Sequence, residues 1–268
     1  MNAKQKRKFN QIAKDISSIK IQGARNIAKS ALIAYNLIPT ITSKKLLLSL
    51  RPTEPMMRKV LDMAERKNNS KEIINHFTES QYKINKYVLK LINKDDVVFT
   101  HCHSTNVINA LIYSKKKGKK FQVYNTETRP LFQGRKTSQE LRKAGIKVTQ
   151  FIDSAMKQAI DNSDIIFLGA DAILKKGVIN KIGSGLIAET ARDNIGKKVS
   201  LYIIADSWKY TKDKVPIESR KLNEVWDKAP KNIKIKNLTF EFIPKKYIKA
   251  VVSELGILSY TNFLKRVE

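Results

Sequence analysis

Five short apolar runs in the second half of the chain each end on a polar or reactive side chain. The runs cover residues 97–100, 121–124, 146–152, 164–168 and 199–205, and the side chains that follow them are Cys102, Glu127, Asp153, Asp171 and Asp206. Short runs rich in β-branched residues predict buried strands. The carboxyl ends of parallel strands share one edge of a sheet, where ligands of open α/β sheets bind. We therefore expect a thiol and several carboxylates to gather there.

Helical patterns separate these runs, which is typical of βαβ units. The predicted helices cover residues 104–116, 137–144, 154–162 and 182–194, and a further strand is predicted over 239–243. The apolar residues in 248–255 and 261–266 predict two closing helices.

The first 85 or so residues carry apolar side chains at helical spacing, and no strand signal precedes residue 95. Gly23 interrupts the first helical stretch and Pro39 ends it, while further helices are predicted over 55–66 and 70–92. The sequence therefore predicts an α/β protein, with an N-terminal helical domain over residues 1–92. A Rossmann-like parallel-sheet domain, expected to be catalytic, follows over residues 93–268.

The charge of the chain is strongly positive, with 52 Lys and Arg against 24 Asp and Glu and a net charge of +28. Such a charge attracts nucleic acid non-specifically, but a small phosphorylated substrate would also profit from it, and lysine can simply cover a solvated surface. Basic runs such as KKKGKK at 115–120 lack the interleaved aromatic residues of a single-strand binding surface. Charge alone does not choose between these alternatives.

Cysteine and histidine are scarce. Cys102 is the only cysteine, so an intrachain disulfide is excluded. The three histidines are too few and too irregularly spaced for a convincing zinc site, and we expect no metal. The N-terminus lacks the apolar core of a signal peptide, and no apolar stretch near it is long enough to span a bilayer. We expect a cytoplasmic protein without a membrane partner.

Cys102 lies in THCHS at 100–104 and has two interpretations. A lone cysteine is commonly a buried structural residue. A partly exposed thiol that follows a strand, between two histidines and near a helix N-terminus, would instead have a lowered pKa and supply thiolate near neutral pH. Asp171 in FLGADAI caps the next helix or, in a dry crevice with a raised pKa, serves as a general acid. Asp153 is more typical of a helix N-cap.

The segment NKIGSG at 180–185 has features that a phosphate site needs. Lys181 supplies charge, two glycines allow close approach of the backbone, and a helix begins nearby. The ETRP and QGR segments, with Arg129 and Arg135, form either an anion-facing loop or a surface turn. Taken alone, Arg51 and Lys209 would be interpreted as surface residues.

Taken in order, THCHS, ETRP–QGR, IDSA, GADAI, INKIGSG and ADSWKY resemble the superfamily of translation initiation factor 2B alpha, beta and delta subunits. This superfamily includes methylthioribose-1-phosphate isomerase and archaeal ribose-1,5-bisphosphate isomerase. IQGARNIA at 21–28 and RPTEP at 51–55 look like its helical-domain motifs. The isomerase branches carry a cysteine and an aspartate where this chain has Cys102 and Asp171, and the regulatory subunits typically lack the pair. THCHS with RPTEP looks most like the ribose-1,5-bisphosphate isomerase branch, although Gln22 stands where the family often has arginine.

The resemblance implies conversion of ribose 1,5-bisphosphate to ribulose 1,5-bisphosphate in the degradation of nucleoside monophosphates. Asp171 would assist ring opening, and the Cys102 thiolate would take the C2 proton. The implied substrate-binding residues are Gln22, Gly23, Ala24, Arg25, Arg51, His103, Ser104, Asn180, Lys181 and Lys209, with Arg129 and Arg135 as weaker candidates. No cofactor is implied. The resemblance also implies a homo-oligomer, a dimer or a trimer of dimers, and activation by AMP.

Three alternatives stay open at this point. One is a non-enzymatic, translation-factor-like regulatory subunit, for which retention of both Cys102 and Asp171 is unexpected. Another is methylthioribose-1-phosphate isomerase, whose methylthio group needs an apolar pocket instead of a second cationic one. The third is a nucleic-acid binder recruited through its charge, whose binding would depend on salt.

Overall fold

The computed structural model describes residues 2–67, 69–193 and 198–268 of the 268-residue chain. The last residue of the predicted helix over 182–194, Asn194, lies outside these residues. Within the described ranges, no helix combines the length and the apolar character that crossing a membrane requires.

The N-terminal part is helical, as predicted. It contains α1 (Ala3–Ser17), α2 (Ala24–Leu37), α3 (Ile41–Leu50), α4 (Pro55–Lys67) and α5 (Ser70–Leu91). Their amphipathic faces meet around a core that includes Ile16, Ile27, Leu61 and Phe77, all of them fully buried. Burial of this shared core, more than helix propensity, stabilises such helices.

The remainder of the chain forms two sheets and the helices that cover them. The strands are β1 (Asp96–Thr100), β2 (Phe121–Thr126), β3 (Lys147–Phe151), β4 (Ile165–Leu168), β5 (Ala172–Leu174), β6 (Gly177–Lys181), β7 (Ser200–Ile204), β8 (Phe240–Pro244), β9 (Ala250–Ser253) and β10 (Gly256–Leu258). The helices are α6 (Thr105–Lys116), α7 (Gln133–Lys143), α8 (Met156–Asp161), α9 (Ser184–Asp193) and α10 (Tyr260–Val267). The five strands predicted from the apolar runs are therefore confirmed.

The larger sheet has the order β10-β9-β7-β4-β1-β2-β3, and its strands are parallel except for β10. From β1 the chain moves outward to β2 and β3 and then returns to place β4 on the other side of β1. The strand order thus reverses between β1 and β4, which makes their carboxyl ends a topological switch point, the usual ligand site of open α/β sheets. The predicted fold class, a helical region followed by a Rossmann-like parallel sheet, is confirmed.

The C-terminal part differs from the sequence prediction. The helix predicted over 248–255 is wrong, because 250–253 form β9, which pairs in parallel with β7. All four residues of β9 are buried, and a fully buried strand has no alternation that separates it from a buried helix. The predicted strand over 239–243 exists as β8, but it lies with β5 and β6 in a second, antiparallel sheet.

The domain boundary at residue 92 stays a prediction. Helix α5 contributes Ile84 and Val88 to the same buried cluster as Val98 of β1 and Val107 of α6. The last N-terminal helix therefore packs directly on the sheet, and this contact brings the helical part beside the carboxyl ends of the strands.

Candidate active site

A cavity lies at the switch point, between the N-terminal helices, the carboxyl ends of β1 and β4, and the second sheet. All twelve residues predicted as catalytic or substrate-binding line it. Three further charged residues that were not predicted also line it, the acid Glu54 and the cations Lys136 and Arg220. Parallel strand order explains this convergence, because it places the ends of distant segments at one edge.

Cys102 lies in the loop between β1 and α6, in a strained backbone conformation. Its φ is 65°, a left-handed value that is uncommon for residues other than glycine, asparagine and aspartate. The Cys102 N–H donates to Thr128 Oγ1 at 3.0 Å, and Thr137 Oγ1 donates to the Cys102 carbonyl at 2.7 Å. Strain of this kind persists only where surrounding contacts fix the residue, and it is frequent at active sites.

Burial raises the pKa of the Cys102 thiol to about 11, although the charge of Lys181 and the N–H of His103 act in the opposite direction. The expected partial exposure of Cys102 is confirmed, but the expected lowering of its pKa is wrong for this structure. The sequence shows the positive neighbours but not the loss of solvent, and here desolvation is the larger effect.

Asp171 follows β4, across the switch point from Cys102. Its N–H donates to the Ile179 carbonyl at 2.8 Å, which ties the residue to β6. The side-chain amide of Asn180 links Asp171 to α9. In the orientation that satisfies both of its polar atoms, its nitrogen donates to Asp171 Oδ2 at 3.3 Å and its oxygen accepts from Ser184 Oγ at 2.9 Å. Burial raises the pKa of Asp171 against the opposing charges of Lys209, Arg51 and Lys181, the direction that the sequence predicts for a general acid.

The N-terminus of α2 forms one wall of the cavity. Gly23 precedes the helix with a φ of 83° and offers no side-chain cap, and Ile27 N–H makes the first helical hydrogen bond, to the Gly23 carbonyl. The amides of Ala24 and Arg25 are thus left for a ligand, and a helix N-terminus favours anions. Arg25 Nη1 lies 3.4 Å from Gln81 Oε1 and its guanidinium lies over the ring of Phe77, so its charge is held at this wall.

Two buried lysines also line the cavity. Lys181, at the end of β6, is only 3% exposed, and its Nζ has no hydrogen-bond or ion-pair partner among the residues that the structure describes. Burial lowers the pKa of Lys181, and the nearby thiol and Asp171 oppose this shift. Lys209 Nζ donates to the Ala170 carbonyl at 2.6 Å. Because Lys181 lines the cavity and its Nζ lacks a protein partner among the described residues, it is suited to meet a phosphate.

His103 and Ser104, which directly precede α6, also line the cavity. His103 Nε2 lies 3.2 Å from Glu140 Oε1 on α7. Ser104 packs against the backbone after β4 so closely that a Cβ on Gly169 would lie 2.6 Å from Ser104 Oγ. A glycine is therefore required at 169 for this approach.

Arg51 is already paired with two carboxylates. Its Nη2 lies 3.3 Å from Glu54 Oε1, and its Nε lies 3.0 Å from Glu218 Oε1. Glu54 was missed by the sequence analysis, although it is part of the RPTEP segment. A carboxylate between two prolines, three residues after a candidate phosphate-binding arginine, was the available signal.

The other three strand-end acids lie outside the cavity lining. Glu127 pairs with Arg135 at 2.8 Å, and Asp153 accepts hydrogen bonds from the N–H groups of Thr128 and Arg129 at 2.8 and 2.6 Å. Asp153 thus fixes a loop instead of capping a helix. Arg129 donates to the Val225 carbonyl at 2.9 Å, so neither weaker arginine candidate lies with the predicted site residues.

Asp206 belongs to a separate polar cluster with His76 and Glu254. One ligand-type atom from each of the three lies within 4.8 Å of the others, so the group could hold a metal ion, which the histidine spacing did not predict. The oxygens already accept hydrogen bonds, however. Ser80 Oγ and Trp208 N–H donate to Asp206 at 2.6 and 2.9 Å, and Ser207 N–H donates to Glu254 at 3.1 Å. This satisfied network ties α5 to the loop after β7.

Comparison with known proteins identifies the family. The model of the initiation factor 2 subunit family matches residues 21–260, which is most of the chain. The chain belongs to this family. The predicted membership is thereby confirmed, and the match includes every residue of the cavity that the sequence analysis named.

The similar proteins of this family include archaeal enzymes. The chain is 31% identical to the ribose 1,5-bisphosphate isomerase of Thermococcus kodakarensis over 292 aligned positions. This alignment covers 92% of the chain and 90% of the relative. It is 33% identical over 247 positions to the ribose 1,5-bisphosphate isomerase of Methanocaldococcus jannaschii, covering 89% of the chain and 77% of the relative. The crystal structure of the Pyrococcus horikoshii translation initiation factor eIF-2B has the same fold, with a TM-score of 0.82 and 24% identity over 97% of this chain and 98% of that one.

Proposed function

We propose that the protein is an aldose–ketose isomerase that converts ribose 1,5-bisphosphate to ribulose 1,5-bisphosphate. The observation that carries the proposal is the meeting of Cys102 and Asp171 in one cavity lined by Arg25, Lys181 and Lys209. Several cations around one cavity suit a substrate with an anionic group at each end. The archaeal relatives named ribose 1,5-bisphosphate isomerase support this choice of substrate.

The reaction requires the opening of the sugar ring and the movement of protons. Asp171, whose raised pKa favours the protonated form, donates a proton to the ring oxygen as the bond between C1 and that oxygen breaks. The Cys102 thiolate removes the C2 proton, which leaves an enol phosphate with a double bond between C1 and C2. The thiol then returns its proton to C1 while the Asp171 carboxylate removes the proton of the C2 hydroxyl. The ketose forms, and both side chains regain their starting states.

Formation of the thiolate is the demanding step of this scheme. With a pKa of about 11, roughly one thiol in 10⁴ is ionised at pH 7 in the unliganded site. Lys181 is the cation that favours the ionised form, because its charge lowers the pKa of the thiol. We assign Lys181 both to substrate binding and to support of the thiolate.

Turnover assays on purified protein test the proposal. Incubation with ribose 1,5-bisphosphate, followed by NMR, is expected to show ribulose 1,5-bisphosphate, whereas methylthioribose 1-phosphate is expected to stay unconverted. Cys102→Ser is expected to lower kcat at least hundredfold while binding of the substrate stays nearly intact. Near-full activity of Cys102→Ser would contradict the role of the thiol. Absence of turnover with either sugar would favour the regulatory-subunit alternative.

The assembly and regulation of the proposed enzyme follow the family expectation. We propose a homo-oligomer, a dimer or a trimer of dimers, and activation by AMP. Light scattering on the purified protein tests the first expectation, and the NMR assay with and without AMP tests the second.

A further inference from the structure

Glu54 is a buried carboxyl group in the cavity that the proposed reaction does not use. It precedes α4, its side chain is 1% exposed, and it lines the cavity together with Asp171. One of its oxygens, Oε1, faces Arg51 Nη2 at 3.3 Å. The other, Oε2, is buried and finds no hydrogen-bond partner among the described residues.

A charged Glu54 would work against binding of an anion. Arg51 has one partner in Glu54 and a second in Glu218, so two carboxylates would cancel the positive charge that attracts a phosphate. A third carboxyl, Asp171, lines the same cavity. Like charges confined to a poorly solvated site raise the cost of ionising each of them.

A protonated Glu54 is compatible with an anion in the same place. The added proton removes the negative charge beside Arg51 and converts one carboxyl oxygen into a hydrogen-bond donor. A buried donor needs an acceptor, and a phosphate oxygen is a strong one. The oxygen that lacks a partner in the protein would then gain one from the ligand.

We propose, on the basis of the function proposed above, that Glu54 is a specificity-determining residue that must carry a proton before an anionic group of the substrate can bind beside Arg51. Binding of the substrate at alkaline pH is then accompanied by the uptake of one proton. Glu54 makes the affinity of the site for phosphorylated sugars depend on pH.

The charges around Glu54 are consistent with this role. Burial and the neighbouring Asp171 raise the pKa of Glu54 to about 8, with Glu218 acting in the same direction and Arg51 and Lys209 in the opposite one. Glu54 is thus largely protonated at pH 7 and largely ionised at pH 9. Lys181 also loses its charge more readily than an exposed lysine as pH rises, so the test must separate the two groups.

The test measures binding by calorimetry in the Cys102→Ser background, so that turnover does not interfere. Dissociation constants of ribose 1,5-bisphosphate and, separately, of inorganic phosphate are determined at pH 7 and pH 9. For each protein, the dissociation constant at pH 9 is divided by the one at pH 7, and this quotient is called the pH ratio. The pH ratio of the parent is expected to be about tenfold larger than that of Glu54→Gln, because glutamine imitates the protonated carboxyl at both pH values. Contributions from Lys181 are common to both proteins and cancel.

Glu218→Gln is the matched control. Glu218 also contacts Arg51, but its side chain is 18% exposed and both of its contacts, with Arg51 and Thr53, are made through Oε1. This variant is expected to keep the parent's pH ratio within about twofold. If both variants lose the larger pH ratio of the parent, the effect belongs to the pairing of Arg51 in general. That result would overturn the specific role of Glu54.

Proton uptake gives a second readout. Titrations in two buffers of different ionisation enthalpy are expected to show that the parent takes up roughly 0.1 proton more per ligand than Glu54→Gln at pH 7 and roughly 0.9 more at pH 9, because uptake by Lys181 and by the ligand is common to both proteins. No difference in uptake at pH 9, no binding of either ligand, or equal pH ratios in the parent and Glu54→Gln would each overturn the inference. Turnover by the wild-type protein at pH 7 is independent of these outcomes, so failure of the Glu54 inference is distinguishable from failure of the proposed isomerase.

Discussion

At the scale of single residues, solvent exclusion decides the chemistry of the cavity. The charges that surround Cys102 and Asp171 favour ionisation of a nearby acid, yet both groups have raised pKa values because they are buried. The same burial gives Glu54 a pKa of about 8. The unliganded cavity therefore holds Cys102 and Glu54 mainly in their protonated forms at neutral pH, and burial shifts the pKa of Asp171 in the same direction.

The raised pKa of Cys102 predicts slow, strongly pH-dependent alkylation. Only the thiolate reacts with iodoacetamide, so the rate is expected to rise about tenfold per pH unit between pH 8 and pH 10 without a plateau. Lys181→Gln removes the cation that lowers the thiol pKa and is expected to slow the reaction throughout this range. Lys212→Gln, whose residue does not line the cavity, is the control. A plateau below pH 8.5 would contradict the burial argument.

Removal of the acid at 171 tests the second proposed catalytic group. Asp171→Asn keeps the size of the side chain but cannot donate and recover a proton, and a loss of about 10²–10⁴ in kcat is expected in the NMR assay. Glu127→Gln is a suitable control, because Glu127 also follows a strand but pairs with Arg135 instead of lining the cavity. An unchanged rate and pH profile in Asp171→Asn would dismiss this role.

At the scale of elements, the position of α5 against the sheet depends on a polar link. Burial alone would raise the pKa of Asp206, but hydrogen bonds from His76, Ser80 and the Trp208 backbone together lower it. His76 also stacks on Trp208, with ring centroids 3.5 Å apart. Because Trp208 and Lys209 are adjacent, this link also positions one of the cavity lysines.

Asp206→Ala is expected to lower the free energy of unfolding by about 3–5 kcal/mol, since it leaves buried donors without their acceptor. Urea unfolding at pH 7 measures the loss. The pKa of Asp206 is lower in the folded state than in the unfolded state. The charge of Asp206 therefore stabilises the folded protein fully above about pH 4, and this stabilisation is lost as the pH falls through the folded-state pKa. The difference between wild type and variant is therefore expected to shrink below pH 4.

Asp193→Ala is the matched control for this experiment. Its ion pair with Arg192 is solvent-exposed and is expected to contribute less than about 1 kcal/mol. A similar loss in both variants, or a difference that does not change with acidification, would show that the buried network does not stabilise the contact of α5 with the sheet.

At the scale of the whole molecule, the net charge of +28 extends far beyond the cavity. Many lysines lie on exposed parts of helices, including Lys4, Lys6 and Lys8 on α1. A field of this sign attracts any polyanion, so binding to nucleic acid by itself does not identify a nucleic-acid-binding function.

Weak and sequence-independent nucleic-acid binding is therefore expected. In gel shifts, unrelated oligonucleotides should bind similarly at 50 mM salt, and the affinity should fall at least about a hundredfold by 200 mM salt. Tight binding that persists at 200 mM salt with a preference for one sequence would contradict this expectation and revive the nucleic-acid alternative.

The sequence by itself determined much of the architecture. Alternating apolar runs and helical patterns were enough for the helical region, the five parallel strands and the fold class, because burial periodicity is a local property of the chain. Motif order indicated the twelve residues that line the cavity, and their roles remain predictions. The buried strand β9 and the placement of β8 in a second sheet were not predictable in this way, because both depend on which distant partner covers an apolar segment.

The tertiary structure alone decided the charge states and the pairing of the site residues. The sequence shows that Glu54 lies three residues after Arg51. It does not show that the second carboxyl oxygen of Glu54 is buried without a partner. It contains positive neighbours of Cys102, but not the exclusion of water that raises the pKa of the thiol. Desolvation depends on every atom that packs around a group, and those atoms come from segments far apart in the chain.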